Sequence, residues 1–148
     1  MKPEATHALE RLMQALLVEI APAVQPAYRQ ASVSIQAMML LAIREEFDRA
    51  AARRVEENRA LRALFADAAP AVTEAALRGR LTAAAASEDA SLRVPELEAG
   101  NRALRALLIE LHAHVESLAG PEARRVEAAI WRELSASTER RKLSLAPF

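Results

Sequence analysis

Residues 94–118 read VPELEAGNRALRALLIELHAHVESL, and the fold turns on this stretch. Leu97, Leu104, Leu111 and Leu118 recur every seven residues. Val94, Asn101, Leu108 and Val115 stand between them at alternating spacings of three and four. A seven-residue repeat lines side chains along one edge of a helix, with the leucines at heptad position d and the others at a. Asn101 is then a polar residue at an a position, the kind that sets alignment and partner number at some cost in stability. On that reading Asn101→Leu raises thermal stability and blurs the oligomeric state. Leu107 widens the stripe, which favours a bundle over an isolated two-stranded coil. Pro95 opens the helix, and Gly120 followed by Pro121 closes it.

Upstream, about Ala27 to Ala69 holds no Gly or Pro and predicts a long helical stretch. Ile35, Met38, Met39, Leu40, Leu41 and Ile43 surround its first half with apolar side chains, a pattern that predicts burial on most sides. The second half is laced with charge, including i,i+4 pairs such as Glu45–Arg49 and Arg53–Glu57. A narrower seam runs through it: Phe47, Ala51, Val55, Asn58, Leu61 and Phe65. A helix of this length exceeds the diameter of a compact globule of this size. It therefore either breaks, with Ser32 and Ser34 as the break, or packs its overhang on a second copy. Residues 58–65, NRALRALF, match residues 101–108, NRALRALL, at seven of eight positions. The flanks do not share the similarity, so duplication and chance in an Ala/Leu/Arg-rich chain both account for it.

Other elements follow from similar signals. Leu9, Leu12, Met13, Leu16, Leu17 and Ile20 form one apolar stripe of a first helix that Pro22 and Pro26 end or kink. Val72 to about Ala86 predicts a short connecting helix after Pro70. A last helix begins at Pro121 and carries Val126, Ala129, Ile130 and Leu134 inward. Residues 140–148 are basic and then apolar, and read as a tail that docks on a neighbouring helix or stays disordered.

Composition agrees with an all-helical chain. In 148 residues there are three Gly, and aromatics make up 3%. Gly-rich phosphate loops, dinucleotide fingerprints and most all-β folds are excluded, because their turns need Gly. The chain has no Cys, which removes disulfides, thiolate catalysis and Cys-ligated zinc. Twenty basic residues balance twenty acidic ones. A nucleic-acid binder shows a basic excess, so no nucleic-acid partner is expected. Zero net charge gives no protection against self-association. No apolar run approaches the length of a membrane span, and the first residues lack the form of a secretory signal, so a cytoplasmic protein is expected.

The chemical motifs are sparse. A carboxylate-bridged di-metal bundle needs two Glu-x-x-His motifs and two further Glu facing inward. The chain has one such motif, Glu4 to His7, in the first turn. Glu45, Glu46, Glu110 and His114 are the residues that would form a metal or small-ligand site between helices. A leucine-zipper reading fails because Ala83–Ala86, Ser87, Glu88 and Asp89 stand where a basic region belongs. No Gly-x-Ser-x-Gly elbow occurs.

The expected fold is an all-α antiparallel bundle of about four main helices plus a short connecting one, spanning 1–148 as one domain. The expected function is non-enzymatic self-association as a homodimer, in a protein-interaction or structural role and without a cofactor. Its seams would be Phe47, Val55, Asn58, Leu61 and Phe65 together with Leu97, Asn101, Leu104, Leu108, Leu111, Val115 and Leu118. The alternative is a helical bundle, a binding protein or an enzyme, holding a small ligand or metal between helices.

Overall fold

The computed structural model describes residues 4–144, and every regular element among them is helical. Five α-helices occur there: α1 (Ala5–Gln14), α2 (Ala27–Ala68), α3 (Ala75–Ala85), α4 (Val94–Glu116) and α5 (Pro121–Arg141). The all-α class, with four main helices and a short connector, is as the sequence predicts. A π-helical turn (Ala15–Ile20) and a 3-10 turn (Ala21–Ala23) continue α1 as far as Ala23. The chain divides into two compact units. Among the described residues, one holds 4–50 together with Leu143 and Ser144, and the other holds Ala51–Lys142.

The second unit is a bundle of the later half of α2 with α3, α4 and α5. Its core joins Leu61, Phe65, Leu77, Leu81, Leu104, Leu108, Leu111, Val115, Val126 and Ile130. The heptad stripe of α4 supplies much of that core: Leu97, Leu104, Leu108, Leu111 and Val115 are buried. Leu107 and Leu118 pack half-buried against it. Pro70 ends α2 through a 3-10 turn (Ala69–Ala71), since proline supplies no N–H to carry the ladder on. Gly120 takes a φ of 113°, a backbone that side-chain-bearing residues rarely adopt, and Pro121 starts α5 immediately after it.

The first unit holds α1, its continuation and the start of α2, with Glu10 reaching Arg44 at 3.7 Å. Ser32 and Ser34 do not break α2. Their hydroxyls donate to the carbonyls of Tyr28 and Gln30, each at 3.1 Å, so both are satisfied within an unbroken helix. The expectation that this half is buried on most sides is overturned. Ala37 is fully buried and Val33, Leu40 and Leu41 are half-buried, but Tyr28, Ile35, Met38, Met39, Ile43 and Phe47 are between 40% and 67% exposed. All-round hydrophobicity says a helix wants cover on all sides; it does not say that one chain provides it.

The tail expected from residue 140 begins later. Helix α5 runs through Arg141, and Ser144 is held by Glu45, whose two carboxylate oxygens accept its backbone N–H at 3.0 and 2.8 Å. Residues 145–148 lie outside the described residues.

Candidate functional site

The second unit contains one buried polar layer, and Glu57 is its centre. Glu57 comes from α2 and is 1% exposed. Arg141, near the end of α5, donates to it through two nitrogens, Nε to Oε1 and Nη2 to Oε2, both at 2.6 Å. The hydroxyl of Ser137 donates to Oε1 at 2.9 Å, and the amide of Asn101 donates to Oε2 at 3.2 Å. Burial pushes the Glu57 carboxyl up. The hydrogen bonds from Arg141 and Ser137, with the charges of Arg141 and Arg54, outweigh it and bring the pKa down to about 2. Glu57 is therefore a paired carboxylate with no proton to give near neutrality.

The layer extends through the two asparagines. Asn101 Nδ2 also donates to Asn58 Oδ1 at 3.0 Å. Asn58 Nδ2 in turn donates to Asp89 Oδ1 at 2.8 Å, and Arg62 donates to the same oxygen at 2.7 Å. Arg62 holds the Asp89 carboxyl below its ordinary value, with partial burial opposing and Asn58 assisting. Arg54 pairs with Glu98 at one flank, and Arg105 donates to Ser137 at 3.2 Å. One network thus ties α2, α4, α5 and the segment before α4.

The repeated sequences meet here. Asn58 and Asn101, the first residues of the two matching octapeptides, hydrogen-bond each other inside one chain. Leu61 and Phe65 of the first copy share a core with Leu104 and Leu108 of the second. Among the residues expected to form an interface, Asn58, Leu61, Phe65, Leu97, Asn101, Leu104, Leu108, Leu111 and Val115 are buried in this unit without a second copy. Val55 and Leu118 are half-buried, and Phe47 is exposed. The expected gain from Asn101→Leu is corrected on the same ground. Asn101 is not a tolerated defect in an apolar seam, because its amide satisfies Glu57 and Asn58.

Glu57, Arg141, Ser137, Asp89 and Arg62 escaped the sequence reading. Glu57 lies one step before Asn58 and looked like half of a solvated i,i+4 pair with Arg53. The signal available was its place beside the seam, where a carboxylate has to find partners.

The four ligand candidates have other partners. Glu110 pairs with Arg80, which holds its carboxyl below the usual range. His114 Nε2 lies 3.3 Å from Thr73 Oγ1. Glu45 binds Arg49 at 2.6 Å as well as Ser144; burial raises its carboxyl, and these bonds bring it below the ordinary value. Glu46 is exposed. Among the described residues, no three His, Asp or Glu gather in a group able to hold a metal ion. His112 packs edge-on against Trp131, with ring centroids 5.4 Å apart.

Among the described residues, no helix is long and apolar enough to cross a membrane. Compared with known protein families, curated proteins and solved structures, the chain matches none.

Proposed function

We propose that the protein is a non-enzymatic helical module that self-associates as a homodimer and serves a protein-interaction or structural role. The observation that carries this reading is the exposed apolar face of α2 in the first unit: Tyr28, Ile35 and Met39, with Met38 and Ile43 at its edges. Five large apolar side chains clustered on one side of a helix exceed the scattered hydrophobics of an ordinary monomer surface. Of the seams read from the sequence, the part beyond Ala51 serves the chain's own core, and Phe47 stays open. The pairing surface therefore belongs to Tyr28–Ile43 and not to the leucine heptad. Zero net charge leaves no long-range repulsion between copies. The same proposal keeps the cytoplasmic setting expected from the sequence.

Light scattering over a hundredfold concentration range tests the reading. A mass of twice 16.2 kDa is expected at the upper end. Met39→Asp, which puts a charge into the face, should shift the dimer midpoint at least a hundredfold upward. A wild-type chain that stays monomeric throughout the range overturns the proposal.

A further inference from the structure

The later half of α2 and helix α4 run in the same direction and in step. Arg54 pairs with Glu98, Asn58 bonds Asn101 and Thr73 lies against His114, so partners stay 41 to 44 residues apart from end to end. Leu61 and Phe65 share a core with Leu104 and Leu108, which follow them at the same interval.

The apolar part of this seam does not specify the step. Helix α4 repeats its leucines every seven residues. Slid by seven, Leu61 meets Leu111 in place of Leu104, and Phe65 meets Val115 in place of Leu108. Residues 86–93, between α3 and α4, are enough chain to follow a slide of about 10 Å.

The polar layer does specify it. In that slid arrangement Asn58 faces Leu108 and Asn101 faces Ala51; slid the other way, Asn58 faces Val94 and Asn101 faces Phe65. Either slide takes the Asn101 amide away from Glu57 Oε2 and Asn58 Oδ1, which it reaches at 3.2 and 3.0 Å. Glu57, Asn58 and Asn101 are each at most 1% exposed. A buried amide or carboxylate that loses its partner is costly.

We infer that the layer of Glu57, Asn58 and Asn101, closed by Ser137 and Arg141, is an alignment device. It selects one pairing of α2 with α4 from several that the leucine seam accepts, and it adds little to the stability of the pairing selected. The role is independent of the self-association proposed above. Replacing a buried ionic group whole by apolar side chains of similar volume often leaves stability equal or higher, whereas removing one member leaves the others unpaired. The device therefore shows itself when the layer is replaced as a unit.

The variant Glu57→Leu/Asn58→Leu/Asn101→Leu/Ser137→Ala/Arg141→Leu makes that replacement. Alignment is read as the distance between spin labels on cysteines introduced at Glu56 and Ala113, both exposed, in a chain with no cysteine of its own. In the native step Glu56 is level with residue 99, about 21 Å of helix axis before Ala113. A slide of seven residues changes that separation by about 10 Å. Labelled chain is diluted into excess unlabelled chain, so that the distances are those within one copy.

With the layer intact, one narrow distance should be found. With the layer replaced, helicity and denaturation midpoint should be at or above those of the parent, and the distance should split into populations separated by up to about 10 Å. One narrow population at the parent distance overturns the inference, because apolar packing or the connector then sets the step. A replaced chain that loses its helicity refutes the small contribution to stability. Asn58→Leu/Asn101→Leu, which keeps the Glu57–Arg141 pair, then decides the alignment role. A split distance in it upholds that role; a single parent distance, or a second loss of helicity, overturns it.

Discussion

The two halves of α2 treat apolar and charged residues in opposite ways. The earlier half is the more hydrophobic, yet Ile35, Met39 and Ile43 stand largely in solvent. The later half carries many charges, yet Glu57 and Asn58 are among the most buried side chains of the chain. Hydrophobicity measures what a segment gains from cover, while burial depends on which partners the chain brings to it. The later half has α4 and α5 in its own unit, and their amide, hydroxyl and guanidinium groups satisfy its polar atoms. The earlier half keeps an apolar sector that the described residues leave exposed.

The sharpest way to break this contrast is to remove the centre of the buried layer. Glu57→Ala removes the carboxylate acceptor of buried Ser137, one of the two acceptors of the Asn101 amide, and the charge paired with Arg141. It should cost about 3 kcal/mol in chemical denaturation, while Met39→Asp in the exposed half should leave unfolding of the monomer within about 0.5 kcal/mol. Equal effects at the two positions would erase the distinction.

Acid acts on the same layer. The Glu57 carboxyl is depressed from an ordinary value of 4.5 to about 2. The stability it contributes is fully present above about pH 4.5 and is lost as pH falls toward 2, a loss on the order of 3 kcal/mol from this group. Asp89 is depressed too and adds to the loss. Glu133 opposes it: burial raises its carboxyl, against the charge and hydrogen bond of Arg140, so protonation relieves rather than costs. The net expectation is a falling melting temperature below pH 4.5, and Glu57→Gln should flatten that fall. An unchanged acid profile in the variant would show that Glu57 is not its source.

A smaller effect separates helix propensity from packing. An added Cβ at Gly79 in α3 meets nothing within 4 Å. At Gly100 in α4 it would lie 3.7 Å from Asn58 Nδ2, ordinary contact beside the polar layer. Gly79→Ala should therefore stabilise by up to about 1 kcal/mol. Gly100→Ala should do no better, since its gain is shared with the Asn58–Asp89 bond it adjoins. Equilibrium unfolding of both variants checks the order.

Much of the fold was legible. The Leu97–Leu118 periodicity, the proline boundaries and the scarcity of Gly each point to the same set of helices. Asn58 and Asn101 were legible as special positions too, because a polar residue interrupts an apolar seam. Their partner was not. A heptad reads the same whether it packs on a second chain or on the next helix of its own, since the pattern specifies a face and not the identity of what meets it. Arg141 and Ser137 were hidden for a related reason. They lie more than 75 residues from Glu57, and only the folded path of α5 brings them to it.

The central claim is that the asparagine seam closes inside one chain, and Asn101→Leu tests it most directly. Its unfolding free energy, measured alongside its mass in solution, should fall by about 1–3 kcal/mol as Asn58 Oδ1 loses its donor and Glu57 Oε2 keeps only the one from Arg141, with the oligomeric state unchanged. A more stable variant whose oligomeric state shifts would contradict the account and return the seam to an interface between chains.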